Sequence, residues 1–337
     1  MGFPRKTAFL LVSVALWGTS GCGASSDGAS QGSSQSQATD AAPPQMTLPE
    51  GAQATSFLGE PLFPPVLPEE VLTRREQQLA EALQELEADP QGADALIWAA
   101  RRYAYLGDYR KAIELFGQGI AEHPDDARFY RHRGHRYISV REIDNAIADF
   151  RKAAELIEGT EDEVEPDGQP NAMGIPTSTL HFNIFYHYGL AHFIKGEFEE
   201  AEEIYRRCMD ASIHADSKVA TAHWWYMSLR RSGRVEEAEA LIQGLDLGAF
   251  SSEIIESGSY MDLLRLYSAA TVDPSTEVDP GTMEGAALGY GLGNFYLYNG
   301  RTEEARAVFE GLVAARDQWA AFGYIAAEAD LARLENR

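Results

Sequence analysis

"YAYLGDYRKAIELFGQGIAEHPDDA", residues 103–127, lies over "YISVREIDNAIADFRKAAELIEGTE", residues 137–161, without a gap. Tyr103 falls on Tyr137, Ala112 on Ala146 and Phe116 on Phe150, each pair 34 residues apart. Ala100 and Gly134 keep the same spacing, as do Pro90 and Pro124. A fixed period of this size marks a chain of stacked units, each too small to bury its own apolar face. Three further lines carry the same pattern: "GEFEEAEEIY" (196–205), "GRVEEAEALI" (233–242) and "GRTEEARAVF" (300–309). In each, glycine turns the chain and carboxylates open a helix, where the dipole favours negative charge.

The pattern resembles the tetratricopeptide repeat, a pair of antiparallel helices in 34 residues. Ala100, Tyr103, Gly107, Ala112, Phe116 and Pro124 fill its slots in the first copy, and Gly134, Tyr137, Ala146, Phe150 and Ala153 in the second. There Arg141 stands where the turn glycine belongs. Gly189, His192, Gly196, Ala201 and Tyr205 make a third copy, with Cys208 in a small-residue slot. Tyr226, Leu229, Gly233 and Ala238 make a fourth, and Gly293, Tyr296, Gly300, Ala305 and Phe309 a fifth. The resemblance implies an all-α superhelical solenoid of helix hairpins over 69–337. Its repeats are expected at about 93–126, 127–158, 180–213, 219–245 and 285–316, with a degenerate unit at 250–272 and a capping helix at 317–337. Ala146 to Ala201 is 55 residues, 34 plus 21, so an acidic Gly/Pro insert occupies 158–179.

The N-terminus reads differently. Arg5 and Lys6 precede the apolar run "TAFLLVSVALW", which is too short to span a bilayer and ends at Gly21–Cys22. The junction resembles the lipobox of bacterial lipoproteins, with Thr19 where that family usually has leucine. It implies a signal peptide over 1–21, a lipid on Cys22 and a site in the bacterial cell envelope. If the organism is Gram-negative, the periplasmic face of the outer membrane is expected, because Gly23 is not the aspartate that retains lipoproteins at the inner membrane of enteric bacteria. Residues 22–56 are expected to be a flexible tether, being Ser/Gly/Ala-rich at first, and 57–70 an extended Pro-rich segment. Formal net charge is −24, from 28 basic and 52 acidic residues, which argues against a nucleic-acid partner.

In such a solenoid the first helix of each hairpin lines the concave face. Register places Trp98 and Arg101, then Arg131, His132 and His135, then Asn183, Tyr186 and His187 in that groove. His223 and Trp224 follow, then Tyr290 and Asn294. His181 and His192 fall instead on the packing face. The groove histidines are open to three readings: polar residues holding neighbours and water, ligands for a peptide together with the arginines, or a metal site. No H-x-x-x-H or H-E-x-x-H spacing occurs, and the arginines of "HRGHR" (132–136) would repel a cation. They suit a carboxylate terminus or an acidic segment. No nucleophile elbow or Walker loop is present, so neither enzyme activity nor a cofactor is expected. The expectation is a scaffold that binds a protein or peptide in its groove. The alternatives are a metal-binding, small-ligand-binding or enzymatic groove, or an envelope-assembly subunit using its convex face or the insert.

Overall fold

The computed structural model describes residues 48–272 and 278–336. The signal peptide, Cys22 and the tether up to residue 47 lie outside the described residues. The described chain opens with a two-stranded antiparallel hairpin, β1 (Ala54–Thr55) with β2 (Pro61–Leu62), then a lone helix, α1 (Glu69–Ala88). Four helix hairpins follow: α2 (Ala93–Tyr105) with α3 (Tyr109–Glu122), α4 (Ala127–Ser139) with α5 (Ile143–Leu156), α6 (Leu180–Lys195) with α7 (Phe198–Asp210), and α8 (Ala215–Arg231) with α9 (Val235–Gln243). The degenerate unit is α10 (Leu247–Ser251) and α11 (Gly258–Ala269). A further hairpin pairs α12 (Met283–Tyr298) with α13 (Thr302–Ala314), and a 3₁₀ turn leads to α14 (Phe322–Glu335). The fold is an all-α, tetratricopeptide-like solenoid.

The repeat pattern acquires a physical reading in these hairpins. Gly107, Gly196, Gly233 and Gly300 turn between paired helices at φ +77° to +91°, where a β-carbon is disfavoured. Inside each pair the aromatic of the second helix lies against the small residue of the first. A β-carbon on Gly134 would sit 2.9 Å from the Phe150 ring, one on Gly189 2.7 Å from Tyr205, and one on Gly293 2.4 Å from Phe309. Larger residues there would force the helices apart. Cys208, in its small-residue slot, is fully buried, and burial pushes its thiol up to about 12. It is therefore no nucleophile at neutral pH.

The solenoid closes on itself. Helix α14 packs on α12, α13 and α6, so it reaches across the molecule instead of only capping its end. Arg141 adopts φ +65° at the turn where the other hairpins have glycine. Its guanidinium holds the buried Glu328 carboxylate of α14 at 2.8 and 3.2 Å and also donates to the carbonyl of Trp319 at 2.8 Å. Trp319 stands edge-on to Tyr109, with ring centroids 5.3 Å apart, and donates its indole N–H to the Phe63 carbonyl at 2.6 Å. Residues from both ends of the described chain thus share one apolar cluster, which includes Ala54, Leu62, Phe129, Trp319 and Tyr324.

One expected boundary shifts. Residues 52–56 are packed rather than part of a tether: Ala54 is fully buried, and Gln53 accepts from the Arg110 amide at 3.0 Å and its Nε at 2.8 Å. Two-residue strands are too short to show an alternating pattern, so composition alone concealed them. Trp319→Ala removes a buried ring and its hydrogen bond at the point of closure. It should lower unfolding free energy by about 3–5 kcal/mol in urea titrations; a loss under about 1 kcal/mol would mean that the two ends contribute little to each other.

Candidate functional site

Two helices build one basic wall. Helix α4 carries Arg131, His132, His135 and Arg136, which fall on adjacent rows of one face by their i, i+4 spacing. From α2, Arg101 and Tyr105 face them, and together with Phe116, Asp167 and Gln169 these groups line a cavity of about 240 Å³. Trp98, one turn before Arg101, lies under its guanidinium at 4.4 Å and under that of Arg102 at 5.0 Å. Arg136 rests 5.3 Å over the Tyr109 ring and forms no ion pair among the described residues. Burial pushes it down to about 10, opposed by the Tyr109 phenol and reinforced by Arg131, so it stays charged at neutral pH. Gathering three guanidiniums, of Arg101, Arg131 and Arg136, at one largely buried wall is costly unless acceptors meet them.

The acidic insert, residues 158–179, lies over that wall as a strap. Its base is pinned by an isolated bridge between Val164 and Thr179 and by a 3.1 Å hydrogen bond between the Thr160 hydroxyl and the His181 ring. His181 thus holds the strap instead of packing in the core. The Glu165 side chain turns inward: it lies 2.9 Å from Arg131 Nε, 3.4 Å from His132 Nε2, and accepts from Asn183 Nδ2 at 3.0 Å. The Arg131 Nε–H is not aimed along the line of a hydrogen bond, so that contact is a charge pair only. Arg101 donates to the Pro166 carbonyl at 2.8 Å, Arg102 to that of Gly168 at 3.2 Å, and Arg75 to Gln169 Oε1 at 3.2 Å.

The expected groove therefore divides. Arg101, Arg131, His132 and His135 come together at the cavity, with Trp98 behind Arg101 and with Asn183 and His187 reaching it through Glu165 and His135. The His135 and His187 rings lie 4.4 Å apart, both within 5.4 Å of Phe322 on α14. Asn183, Tyr186 and His187 also line a second cavity of about 240 Å³ with Phe182 and Asp216, whereas His223, Trp224, Tyr290 and Asn294 are interior, because aromatic packing and α14 fill that part. Trp224 stacks on Tyr290 and donates to the Tyr186 hydroxyl at 2.9 Å. His223 is fully buried between Tyr260 and Tyr267. Tyr290 donates to Asp330 of α14 at 2.9 Å, and Asn294 accepts from Arg231 at 3.0 Å. Against the upward push of burial, Arg231 and Arg333 hold Asp330 down at about 2.

Among the described residues no group of three or more His, Cys, Asp or Glu side chains is placed to hold a metal ion. Burial, together with Arg131, Arg101 and Arg136, holds His132 well below the usual imidazole range. Burial does the same for His135 and His187, and for His223 it reaches about 3. These rings are neutral packing and hydrogen-bonding groups at neutral pH. Sequence reasoning missed Glu165, and reached Arg136 only as one of the arginines in the run 132–136. The charge density of "HRGHR" pointed toward Arg136, whereas Glu165 is one of six acidic residues between 158 and 167 that composition does not rank.

Tetratricopeptide-repeat family models match residues 93–136 and 182–212, so these two segments are tetratricopeptide repeats. No curated protein matches the sequence. Among solved structures, the chain is similar to MamA of AMB-1 at 20% identity over 51% of this chain and 87% of that one, with a TM-score of 0.39. It is also similar to YrrB, described as a tetratricopeptide protein with an unusual peptide-binding site: 14% identity, 69% and 91% coverage, TM-score 0.39. A thermophilic tetratricopeptide protein of Thermus thermophilus gives 17% identity, 60% and 92% coverage, and 0.41.

The depressed His223 gives a signed pH dependence. Above about pH 6.5 the ring is neutral in both folded and unfolded chains, and its contribution is constant. Below that, the unfolded chain takes up a proton that the folded chain refuses down to about 3, so stability falls with pH. Between pH 7.5 and 5.0 the wild type should lose about 2 kcal/mol more than His223→Phe in urea titrations. An unchanged difference between the two proteins would show that His223 titrates normally.

Proposed function

We propose that this chain is a lipid-anchored scaffold of the bacterial cell envelope that holds an acidic segment of a protein or peptide partner at the basic cavity. The fold supplies the general part: tetratricopeptide solenoids are scaffolds that commonly bind proteins or peptides. The observation that carries the specific part is the crowding of Arg101, Arg131 and Arg136 around a cavity that Asp167 lines and whose Arg131 already pairs with Glu165. In a chain with 52 acidic and 28 basic residues, three guanidiniums converging on one space favour an anionic occupant. The anchor rests on the sequence reading of Cys22, with the outer membrane as its site in a Gram-negative organism. Binding, rather than catalysis, is the role this reading assigns, since the buried histidines are neutral and Cys208 is sealed in the core.

Crosslinked capture from intact envelopes tests the reading. Wild-type protein should sediment with membranes and retain a reproducible partner, and Cys22→Ala should move it to the soluble fraction. Arg136→Gln removes a cavity cation that makes neither an ion pair nor a side-chain hydrogen bond among the described residues, so capture should fall by about tenfold or more, equivalent to about 1.4 kcal/mol, with the melting temperature unchanged or raised. Capture unaffected by Arg136→Gln would contradict the cavity as the binding site. Membrane sedimentation unaffected by Cys22→Ala would contradict the anchor.

A further inference from the structure

We propose that the strap is a built-in ligand of the basic cavity: an acidic, proline-containing extended segment of a partner binds there by displacing Glu165 and its neighbours. This rests on the reading of the cavity as a binding site and adds the form of the ligand and the event that opens the site. The strap brings the Glu165 carboxylate to Arg131 and Asp167 to the cavity lining, while the backbone carbonyls of Pro166 and Gly168 accept from Arg101 and Arg102. That is how an extended peptide is read, with a charge-assisted anchor and main-chain acceptors in sequence. The Pro166 position needs no backbone donor, and none is used there.

Two features make the strap displaceable. It is held by polar groups rather than by a core: Val164, Met173 and Ile175, its larger apolar side chains, are 50%, 64% and 39% exposed. Segments with little apolar burial open at low free-energy cost. The fit is also incomplete. Arg131 Nε is charge-paired without an aligned hydrogen bond, and Arg136 has no carboxylate within ion-pair distance among the described residues. A free segment, not tied at both ends, could align on Arg131 and bring a second carboxylate to Arg136. Those two gains offset the strap's advantage of tethering, which corresponds to an effective concentration on the order of millimolar.

The test uses a fluorescein-labelled synthetic peptide of residues 160–172 and the full chain in three forms: wild type, Glu165→Gln, and a version with residues 163–170 replaced by Gly and Ser at equal length. Fluorescence anisotropy should show the replaced version binding the peptide at least about tenfold more tightly than wild type, whose own strap competes. Glu165→Gln, a near-isosteric change, should fall between them. The same peptide carrying Glu165→Gln should lose most of its binding to the replaced version. Equal affinity in all three forms would overturn the proposal. So would absence of binding to both altered forms when their far-ultraviolet circular dichroism matches wild type. In either case envelope capture that still depends on Arg136 would leave the cavity reading intact, so the two failures are distinguishable.

Discussion

Arg141 and Glu328 stand 187 residues apart in sequence and form a buried charge pair at 2.8 Å. Tetratricopeptide units interact mainly with their neighbours, so a chain of them stays open unless something joins distant turns. Here a hairpin turn gives up its glycine, takes a left-handed residue, and uses that side chain to fasten a helix from the far end of the chain. Around the pair gather the Trp319 carbonyl and the Phe57 amide, which brings the N-terminal hairpin into the same joint. The position of α14 follows from it, and with α14 follows the filling of half the concave face.

That filling decides where function can sit. Asp330 and Phe322 of α14, with Trp224 and Tyr290, turn the rear of the groove into core. The front half is kept from becoming core by charge. Three guanidiniums cannot be packed against apolar side chains without acceptors, and one helix wall carries two of them. The strap answers part of that demand with Glu165. In an acidic chain this is economical chemistry: few cations, most of those in the groove concentrated at one cavity, and a local carboxylate that holds the cavity when no partner does.

The sequence made the hairpins legible because small residue, aromatic and turn glycine each answer a local steric demand within one 34-residue unit. The sets Gly134 with Phe150, Gly189 with Tyr205, and Gly293 with Phe309 are such demands. The basic wall was legible for the same reason, since Arg101, Arg131, His132 and His135 follow from helical register. What local pattern could not convey was closure. Nothing about Glu328 or Asp330 distinguishes them from the acidic residues of a solvated helix until Arg141 and Arg231 are brought to them. The departure at Arg141 was visible as a missing glycine, but its partner was not. Trp224, Tyr290 and His223 likewise had the register of groove residues, and only the arrival of α14 and the packing of α11 made them interior.

The most direct measurement of this account is the stability of Arg141→Gly. Glycine suits the left-handed turn and should gain about 1 kcal/mol there. It also leaves the Glu328 carboxylate buried without its guanidinium, a loss of about 3–5 kcal/mol. If closure through this pair holds the molecule together, urea denaturation will show Arg141→Gly destabilised by about 2–4 kcal/mol, the difference between these two terms. A variant as stable as wild type, or more stable, as the repeat pattern alone would have it, would contradict the account.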